Sequence, residues 1–160
     1  MFSDEMIEEM VDLLTSCDDQ TKIYLGCDST RFKKNGRWWA RYATVCIVHM
    51  NGKNGCRIFS VKTTEPDYDK ASNMKAYRPK MRMMNEVMKT CELYMQIQPF
   101  IEGFDIEIHL DISMDEKYKS NVAASEAAGY VLGTTNIVPK LKPESWASSF
   151  GADHIVNKAK

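Results

Sequence analysis

Four carboxylates are the residues of this 160-residue chain whose types and positions could do chemistry. Asp28 directly follows an apolar run at 23–27, so we expect it at the end of a β-strand. Asp111 follows the alternating run at 106–110 in the same way. Such a residue has its backbone fixed by the sheet while its oxygens stay open to hard divalent cations, which prefer oxygen ligands. Two more acidic residues, expected on helices, complete the candidate set: Glu86 and Asp153.

Charge and length limit the class of protein. The 21 basic and 22 acidic residues nearly cancel, so the whole chain offers no strong field for a polyanion. Any binding of nucleic acid must therefore come from a local patch. The length and the 44% hydrophobic content predict one domain over residues 1–160, with residues 1–20 as an N-terminal helical extension.

The chain carries no signal for export or for a membrane. Residues 1–10 lack the basic start of a signal peptide, and no apolar run approaches the roughly 20 residues of a membrane span. Five cysteines without a CxxC pair fit neither a disulfide framework nor a structural zinc site. We therefore expect a soluble, cytoplasmic protein without a membrane partner.

Periodicity and turn residues predict the elements. The pairs Asn35-Gly36, Asn51-Gly52 and Asn54-Gly55 predict turns between three antiparallel strands. Helical spacing and capping residues predict the helices. The predicted set is a helix at 3–14, strands at 23–27, 37–50 and 56–62, a loop at 65–77, a helix at 78–96 that Pro99 ends, a strand at 105–112, a helix from a Ser113/Glu116 capping box to Gly133, a strand at 135–141, and a last helix capped by Ser148 or Ser149.

The order of these elements predicts the fold class. Three strands in succession are followed by alternating helices and strands, and this alternation favours parallel pairing of the later strands. We therefore expect an α/β fold with a mixed five-stranded sheet, in which three antiparallel strands are followed by two parallel ones. Helices should flank both faces, with the extra helix at the N-terminus.

Several short motifs resemble one known family. Strand-end motifs of the YkuK family of predicted ribonuclease-H-like proteins are similar to two segments of this chain, Gly26-Cys27-Asp28-Ser29 and His109-Leu110-Asp111-Ile112. The C-terminal hallmark is more specific: Lys142-Pro143-Glu144-Ser145-Trp146-Ala147-Ser148-Ser149, then Ala152-Asp153-His154 and Lys158. The resemblance spans residues 22–158. It implies a ribonuclease-H-like fold and a metal-dependent nuclease activity on RNA, DNA or an RNA/DNA hybrid.

The resemblance also implies roles for the carboxylates. Asp28, Asp111 and Asp153 match motif positions, whereas Glu86 is placed by the general ribonuclease H pattern of an acidic residue on the first long helix. Together they would hold Mg²⁺ or Mn²⁺ for a two-metal mechanism, with Asp28 bridging ions about 3.5–4 Å apart. Gly26 would leave room for the ions. No organic cofactor is expected.

Each carboxylate also has a plain structural interpretation. An aspartate at a strand end is often a turn former or a helix cap. Glu86 could pair with Arg82 or Lys89 on a solvated helix face, and Asp153 could favour the first turn of its helix through the macrodipole. The family motifs favour the functional interpretation for Asp28, Asp111 and Asp153. Glu86 lies in no motif of the family, so its two interpretations stay open.

Neighbouring side chains could support the site. His109 could orient Asp111 by a hydrogen bond, or simply pack. His154 could contact phosphate, or be an ordinary surface histidine, and Ser29 is a further candidate for a supporting or phosphate contact. Cys27 points to the strand face opposite Asp28, which favours a buried apolar role over a nucleophile.

A basic stretch with aromatic residues lies beyond Asp28, around the first hairpin turn. Cations can neutralise phosphates while exposed aromatic rings stack on bases. The alternative is a solvated hairpin tip with its tryptophans in the core. The candidate nucleic-acid contacts are Arg31, Lys33, Lys34, Arg37, Trp38, Trp39 and Arg41.

Three functions are consistent with these residues. The leading hypothesis is a metal-dependent nuclease with nucleic acid as its partner. The alternative is a catalytically silent ribonuclease-H-like module that binds nucleic acid or protein. A nucleotide enzyme of the ATPase type is disfavoured because the chain has no Gly-rich phosphate loop.

Overall fold

The computed structural model describes residues 1–67, 80–113 and 121–157. Its elements follow the predicted order. They are α1 (Asp4–Thr15), β1 (Lys22–Lys34), β2 (Arg37–His49), β3 (Cys56–Pro66), α2 (Lys80–Ile101), β4 (Asp105–Ser113), α3 (Asn121–Thr135), β5 (Lys140–Lys142), a π-helical segment (Ala147–Ala152) and α4 (Asp153–Asn157).

The five strands form one mixed sheet in the order β3-β2-β1-β4-β5. β2 pairs antiparallel with both β1 and β3, whereas β4 pairs parallel with β1 and with β5. The predicted fold class is therefore confirmed, and the architecture is consistent with the ribonuclease-H-like fold. Strand order reverses between β1 and β4, and in open α/β sheets such a switch point is where ligands bind.

β1 is much longer than predicted and does not end at Cys27. It pairs with β2 without interruption from Lys22 to Lys34, but with β4 only from Lys22 to Gly26. The strand continues past Asp28 because β2 still supplies hydrogen-bonding partners there. It turns at Asn35 and Gly36, whose φ angles of 50° and 74° are those of the predicted tight hairpin turn.

The two faces of the sheet carry different layers. One face packs against α1, α2 and α3, and alternation within β4 works as predicted, with Ile108, Leu110 and Ile112 buried on that side. The other face is covered in part by the C-terminal segment. The apolar cluster there contains Ala43, Val45 and Ile47 of β2 and Ala147, Ala152 and Val156.

Gly26 is needed for close approach of the C-terminal segment to the sheet. A Cβ atom at this position would lie 2.9 Å from the backbone nitrogen of Ser148 and 3.2 Å from the carbonyl carbon of Ala147. The space that we expected to be open for metal ions is therefore filled by backbone, and that expectation is wrong.

Several helix boundaries differ from the prediction. Pro99 does not end α2, which runs to Ile101, and Ile97 and Ile101 are completely buried. One lost hydrogen bond in the last turn is offset by this burial. α3 runs to Thr135 rather than Gly133, and it ends where Asn136 adopts a φ of 59°, a common conformation after a helix.

The remaining differences lie in the second half of the chain and in the first loop. Ser113 belongs to β4, and its predicted capping partner Glu116 lies outside the described residues. β5 is only three residues long, and Thr135, predicted as its first residue, belongs to α3. Ser148 does not cap a helix but lies within the π-helical segment. β3 extends to Pro66, and most of the loop predicted at 65–77 falls outside the described residues.

The first helix agrees with the prediction. Ser3 accepts a hydrogen bond from the Met6 amide at 3.3 Å, and Met10 and Leu14 are buried. Among the described residues, no helix has both the length and the apolar character that crossing a membrane requires.

The contact at Gly26 generates the first prediction. Gly26→Ala should lower the free energy of unfolding by about 1–3 kcal/mol, because the new methyl group meets backbone that cannot rotate away. Gly129→Ala is the matched control. Its Cβ would meet nothing within 4 Å on α3, so it should raise stability by about 0.5–1 kcal/mol. Urea unfolding measures both, and equal effects of the two substitutions would contradict the packing described here.

Candidate active site

Asp28 and Asp111 lie where β1 and β4 part. The last backbone pair between these strands is Gly26 with His109, and each aspartate lies two residues beyond that pair. Because alternate residues share a strand face, both carboxylates lie on the face of the sheet that carries the C-terminal segment. Asp28 is 5% exposed, and the side chain of Asp111 is 5% exposed. Two buried carboxylates thus lie on neighbouring strands, just beyond the point where the parallel pairing of β1 with β4 ends.

Ser29 connects Asp28 to Glu86. The Ser29 amide donates to Asp28 Oδ1 at 2.8 Å, and the Ser29 hydroxyl donates to Glu86 Oε1 at 2.5 Å. Glu86 is 4% exposed, so it does not lie on a solvated helix face as its plain interpretation required. It approaches from the α2 side of the sheet, opposite the face of Asp28 and Asp111. Ser29 is the link between the carboxylates of the two sides.

Asp111 forms an ion pair with Lys142 of β5. The distance from Lys142 Nζ to Asp111 Oδ1 is 2.6 Å, and the lysine side chain is 46% exposed. A buried carboxylate is costly unless a cation or hydrogen-bond donors compensate it. Lys142 supplies that cation here, from a position that remains accessible to solvent.

Asp153 and His154 begin α4. Both are exposed, and Asp153 Oδ1 accepts a hydrogen bond from Asn157 Nδ2 at 2.6 Å. The helix lies on the same face of the sheet as Asp28 and Asp111, through Val156. Asp153 therefore lies on the same side of the sheet as Asp28 and Asp111. It is exposed to solvent, whereas the two strand carboxylates are buried.

His109 anchors the C-terminal segment and does not orient Asp111. Its Nδ1 accepts a hydrogen bond from the Ala147 amide at 3.1 Å, and its Nε2 lies 2.9 Å from a carboxylate oxygen of Glu107. Both ring nitrogens are thus occupied, and the expected contact to Asp111 is not made. Because Nδ1 must be an acceptor, the neutral ring carries its proton on Nε2 and donates to Glu107.

Aromatic rings enclose His109. The ring centroids of Tyr24 and Trp146 lie 5.4 Å and 5.6 Å from that of the imidazole. The histidine is completely buried, and this burial lowers its pKa below the usual 6.5, with a smaller contribution in the same direction from Lys140. Glu107 opposes the shift. Trp146, a residue of the C-terminal motif, thus helps to keep the anchor neutral.

Cys27 has the buried role that its strand face predicts. It is 2% exposed, and Thr44 donates a hydrogen bond to its sulfur at 3.4 Å. Burial, and then the negative charge of Glu86, raise the pKa of the thiol. A thiol with a raised pKa is a poor nucleophile.

The predicted basic stretch divides between the two faces of the hairpin. Arg31, Lys33 and Trp38 lie on the α2 side, where the Arg31 guanidinium is 2.6 Å from Asp67 and 4.1 Å from the centroid of the Trp38 ring. The side chains of Arg31 and Trp38 are therefore occupied by contacts within the protein. Four others lie on the face of Asp28 and Asp111: Lys34, Arg37, Trp39 and Arg41. The stretch is therefore not one continuous patch.

Within the described residues, no group of three or more histidine, cysteine, aspartate or glutamate side chains is close enough to hold a metal ion. The pair Asp28 and Asp111 nevertheless has the chemistry that Mg²⁺ and Mn²⁺ require, since both are buried oxygen donors at an opening of the sheet. Magnesium keeps several waters and is commonly held by only one or two carboxylates.

The fold is consistent with that of a ribonuclease-H-like protein, and comparison with known proteins agrees. A family model described as Ribonuclease H-like matches residues 5–157. The chain therefore belongs to this family, which is the YkuK family that the motifs resemble. No curated protein and no solved structure matches the chain significantly.

Three residues that contribute to the candidate site were not predicted as site residues. Lys142 lies in the C-terminal motif just past the predicted fifth strand, and Glu107 lies in the alternating run at 106–110; neither position predicted a role at the site. Lys62 shares the sheet face of Asp28, because it pairs with Ala43, which pairs with Asp28. Lys62 lies within the predicted third strand, but only the register of β1, β2 and β3 shows that it shares a face with Asp28.

The neutral His109 generates a pH prediction. Its folded pKa is lowered, so the unfolded chain binds a proton more readily, and the stability that the neutral ring supplies is lost as the pH falls below 6.5. The loss should approach about 1.4 kcal/mol per pH unit between the two pKa values. His109→Gln removes this titration but leaves Tyr24, Glu107 and Lys140 in place. Unfolding curves at pH 5–8 should show a steeper dependence in the wild type; equal slopes would contradict the assignment.

Proposed function

We propose that this protein is a metal-dependent nuclease that hydrolyses phosphodiester bonds in RNA, DNA or an RNA/DNA hybrid. One observation carries the proposal: Asp28 and Asp111 are buried carboxylates on the same face of two parallel strands, at the point where those strands part. The family supports a nuclease-like theme, and the site supplies the residues for it.

The chain's own residues would hold Mg²⁺ or Mn²⁺ at this point. Asp28 and Asp111 would be the central ligands, and Asp153 would approach from α4 on the same side. Glu86, next to Ser29 on the α2 side, would act on the ions through its link to Asp28. When bound, a pair of divalent ions activates water and stabilises charge on the phosphate and on the departing oxygen.

Other side chains would position the ligands and the substrate. Ser29 uses its amide and its hydroxyl on two carboxylates, so it restricts both Asp28 and Glu86 to fixed orientations. His109 keeps the C-terminal segment against β1 and thereby fixes where α4 begins. His154 is exposed next to Asp153 and would contact a phosphate oxygen or exchange a proton with the product.

A second candidate function rests on the ion pair of Lys142 with Asp111. Because this lysine already compensates one buried carboxylate, the site can exist without a metal ion. In that case the protein would be a catalytically silent ribonuclease-H-like module that binds nucleic acid or protein. The two candidates differ in whether a divalent cation can replace Lys142 at Asp111.

Removal of either central carboxylate tests the nuclease directly. Asp28→Asn and Asp111→Asn should each lower the rate of cleavage more than about 100-fold, since even the partners of metal ligands are commonly worth 10–100-fold. The assay uses single-stranded, duplex, hybrid and branched substrates with Mg²⁺ and with Mn²⁺. Asp105→Asn is the matched control, because this residue pairs with Lys22 at the exposed start of β4 and should keep full activity. Equal, metal-independent rates in all variants would defeat the proposal.

Removal of Lys142 separates the two candidates. If metal and lysine compete for Asp111, Lys142→Gln should bind Mn²⁺ more tightly than the wild type, and Mn²⁺ should restore the thermal stability that the substitution costs. Lys140→Gln, an exposed change on the same strand, is the control and should leave the affinity for Mn²⁺ unchanged. Titration calorimetry and thermal melts provide the readouts. A destabilised Lys142→Gln that Mn²⁺ does not rescue would favour the silent module.

A further inference from the structure

Charge is distributed unequally between the two faces of the hairpin beyond Asp28. On the α2 side, cations have acidic partners: Arg31 pairs with Asp67, and Lys89 of α2 pairs with Glu65. These contacts neutralise the charges of Arg31 and Lys89 within the protein. The opposite face, which carries Asp28, has a different composition.

We call this opposite surface the basic face. The pairing of β1, β2 and β3 is continuous here, so alternation assigns its residues without ambiguity. No acidic residue beyond Asp28 occupies this face on the three strands, and none of its four cations forms an ion pair with a carboxylate of the described chain. The charged and aromatic residues of the basic face are Phe32, Lys34, Arg37, Trp39, Arg41 and Lys62.

The basic face starts beside the candidate active site. Lys62 pairs with Ala43, and Ala43 pairs with Asp28, so the three lie in one row across the sheet. With neighbouring strands about 4.8 Å apart, the backbones of Lys62 and Asp28 are about 10 Å apart. From Ala43 to Arg37 at the hairpin tip the strip extends six residues, or about 20 Å. Among the described side chains, the apolar cluster that the C-terminal segment forms with β2 reaches Ala43 and does not include Arg41 or Trp39.

Two aromatic rings lie within this strip. Phe32 and Trp39 are directly opposite each other on neighbouring strands, and both are half-buried. The Arg41 guanidinium lies 5.0 Å from the centroid of the Phe32 ring. Aromatic rings on a sheet surface, bordered by cations, bind unpaired bases by stacking while the cations neutralise phosphates. Bases inside a duplex are already stacked and cannot use such rings.

We propose that the basic face binds a single-stranded segment of nucleic acid and leads it to the carboxylates. This inference rests on the proposed function in taking nucleic acid as the substrate, and it adds the strandedness and the path. The phosphates lie along Lys34, Arg37, Arg41 and Lys62, and a base stacks on Phe32 or Trp39.

Binding without cleavage tests the inference. Fluorescence anisotropy in EDTA, with a labelled oligonucleotide of about 12 nucleotides, measures affinity for single-stranded and for duplex nucleic acid. The wild type should prefer the single strand. Lys62→Gln should weaken its binding and lower the magnitude of the salt-dependence slope by about 0.7, the value for one lost phosphate contact. Lys33→Gln removes the same charge from the exposed opposite face and is the matched control, with little expected effect.

Trp39→Leu provides a second variant, with a loss of affinity of roughly 5- to 100-fold for a lost stacking contact. Circular dichroism verifies that it folds, and Lys62→Gln is an exposed change that tests the same face if it does not. Equal losses in Lys62→Gln and Lys33→Gln, tighter binding of the duplex, or binding only to anionic lipid vesicles would overturn the inference. Cleavage by the wild type with unchanged binding in Lys62→Gln would overturn this inference and leave the proposed function intact. The expected binding pattern without metal-dependent cleavage would support this inference and overturn the proposed function.

Discussion

The candidate site depends on one constraint: β1 pairs with its two neighbouring strands over unequal lengths. Its antiparallel pairing with β2 continues for the whole strand, whereas its parallel pairing with β4 stops at Gly26 and His109. Beyond that point the sheet opens on one side while the backbone of β1 stays fixed on the other. Asp28 and Asp111 lie just beyond the opening, so their carboxylates are both held in place and shielded from solvent. Burial of two such groups requires compensating charge, which Lys142 supplies to Asp111.

Local patterns were sufficient to predict most of the fold. Strict alternation identified β4, Asn-Gly pairs identified the hairpin turns, and Ser3 identified the start of α1. The continuation of β1 past Asp28 was missed because its residues there are polar, and only pairing with β2 makes them a strand. The role of Gly26 depends on a backbone more than 100 residues away along the chain, which no local pattern reports. The same holds for His109, whose partner is the amide of Ala147.

The candidate site was predictable in its acidic residues and less so in their surroundings. The family motifs identified Asp28, Asp111 and Asp153, and in the structure all three lie on one side of the sheet. Glu86 lies on the other side, linked through Ser29. The basic stretch was found from composition, but its division between two faces follows from the register of β1 and β2. On one face Asp67 and Glu65 neutralise Arg31 and Lys89; on the other, near Asp28, no cation forms an ion pair with a carboxylate of the described residues. Charge is thus segregated by alternation rather than by position along the chain.

Joint binding of a divalent cation by Asp28 and Asp111 can be measured through the paramagnetic broadening of backbone amide NMR signals by Mn²⁺. If the two carboxylates bind the ion, signals of residues 28–29 and 111–113 broaden first at substoichiometric Mn²⁺, while those of the hairpin tip at 35–36 persist. The acidic first turn of α1, which contains Asp4 and Glu5, provides an internal comparison for weak surface binding. Broadening that begins at α1, or that spreads evenly over all acidic surfaces, would show that Asp28 and Asp111 do not form a binding site for the ion.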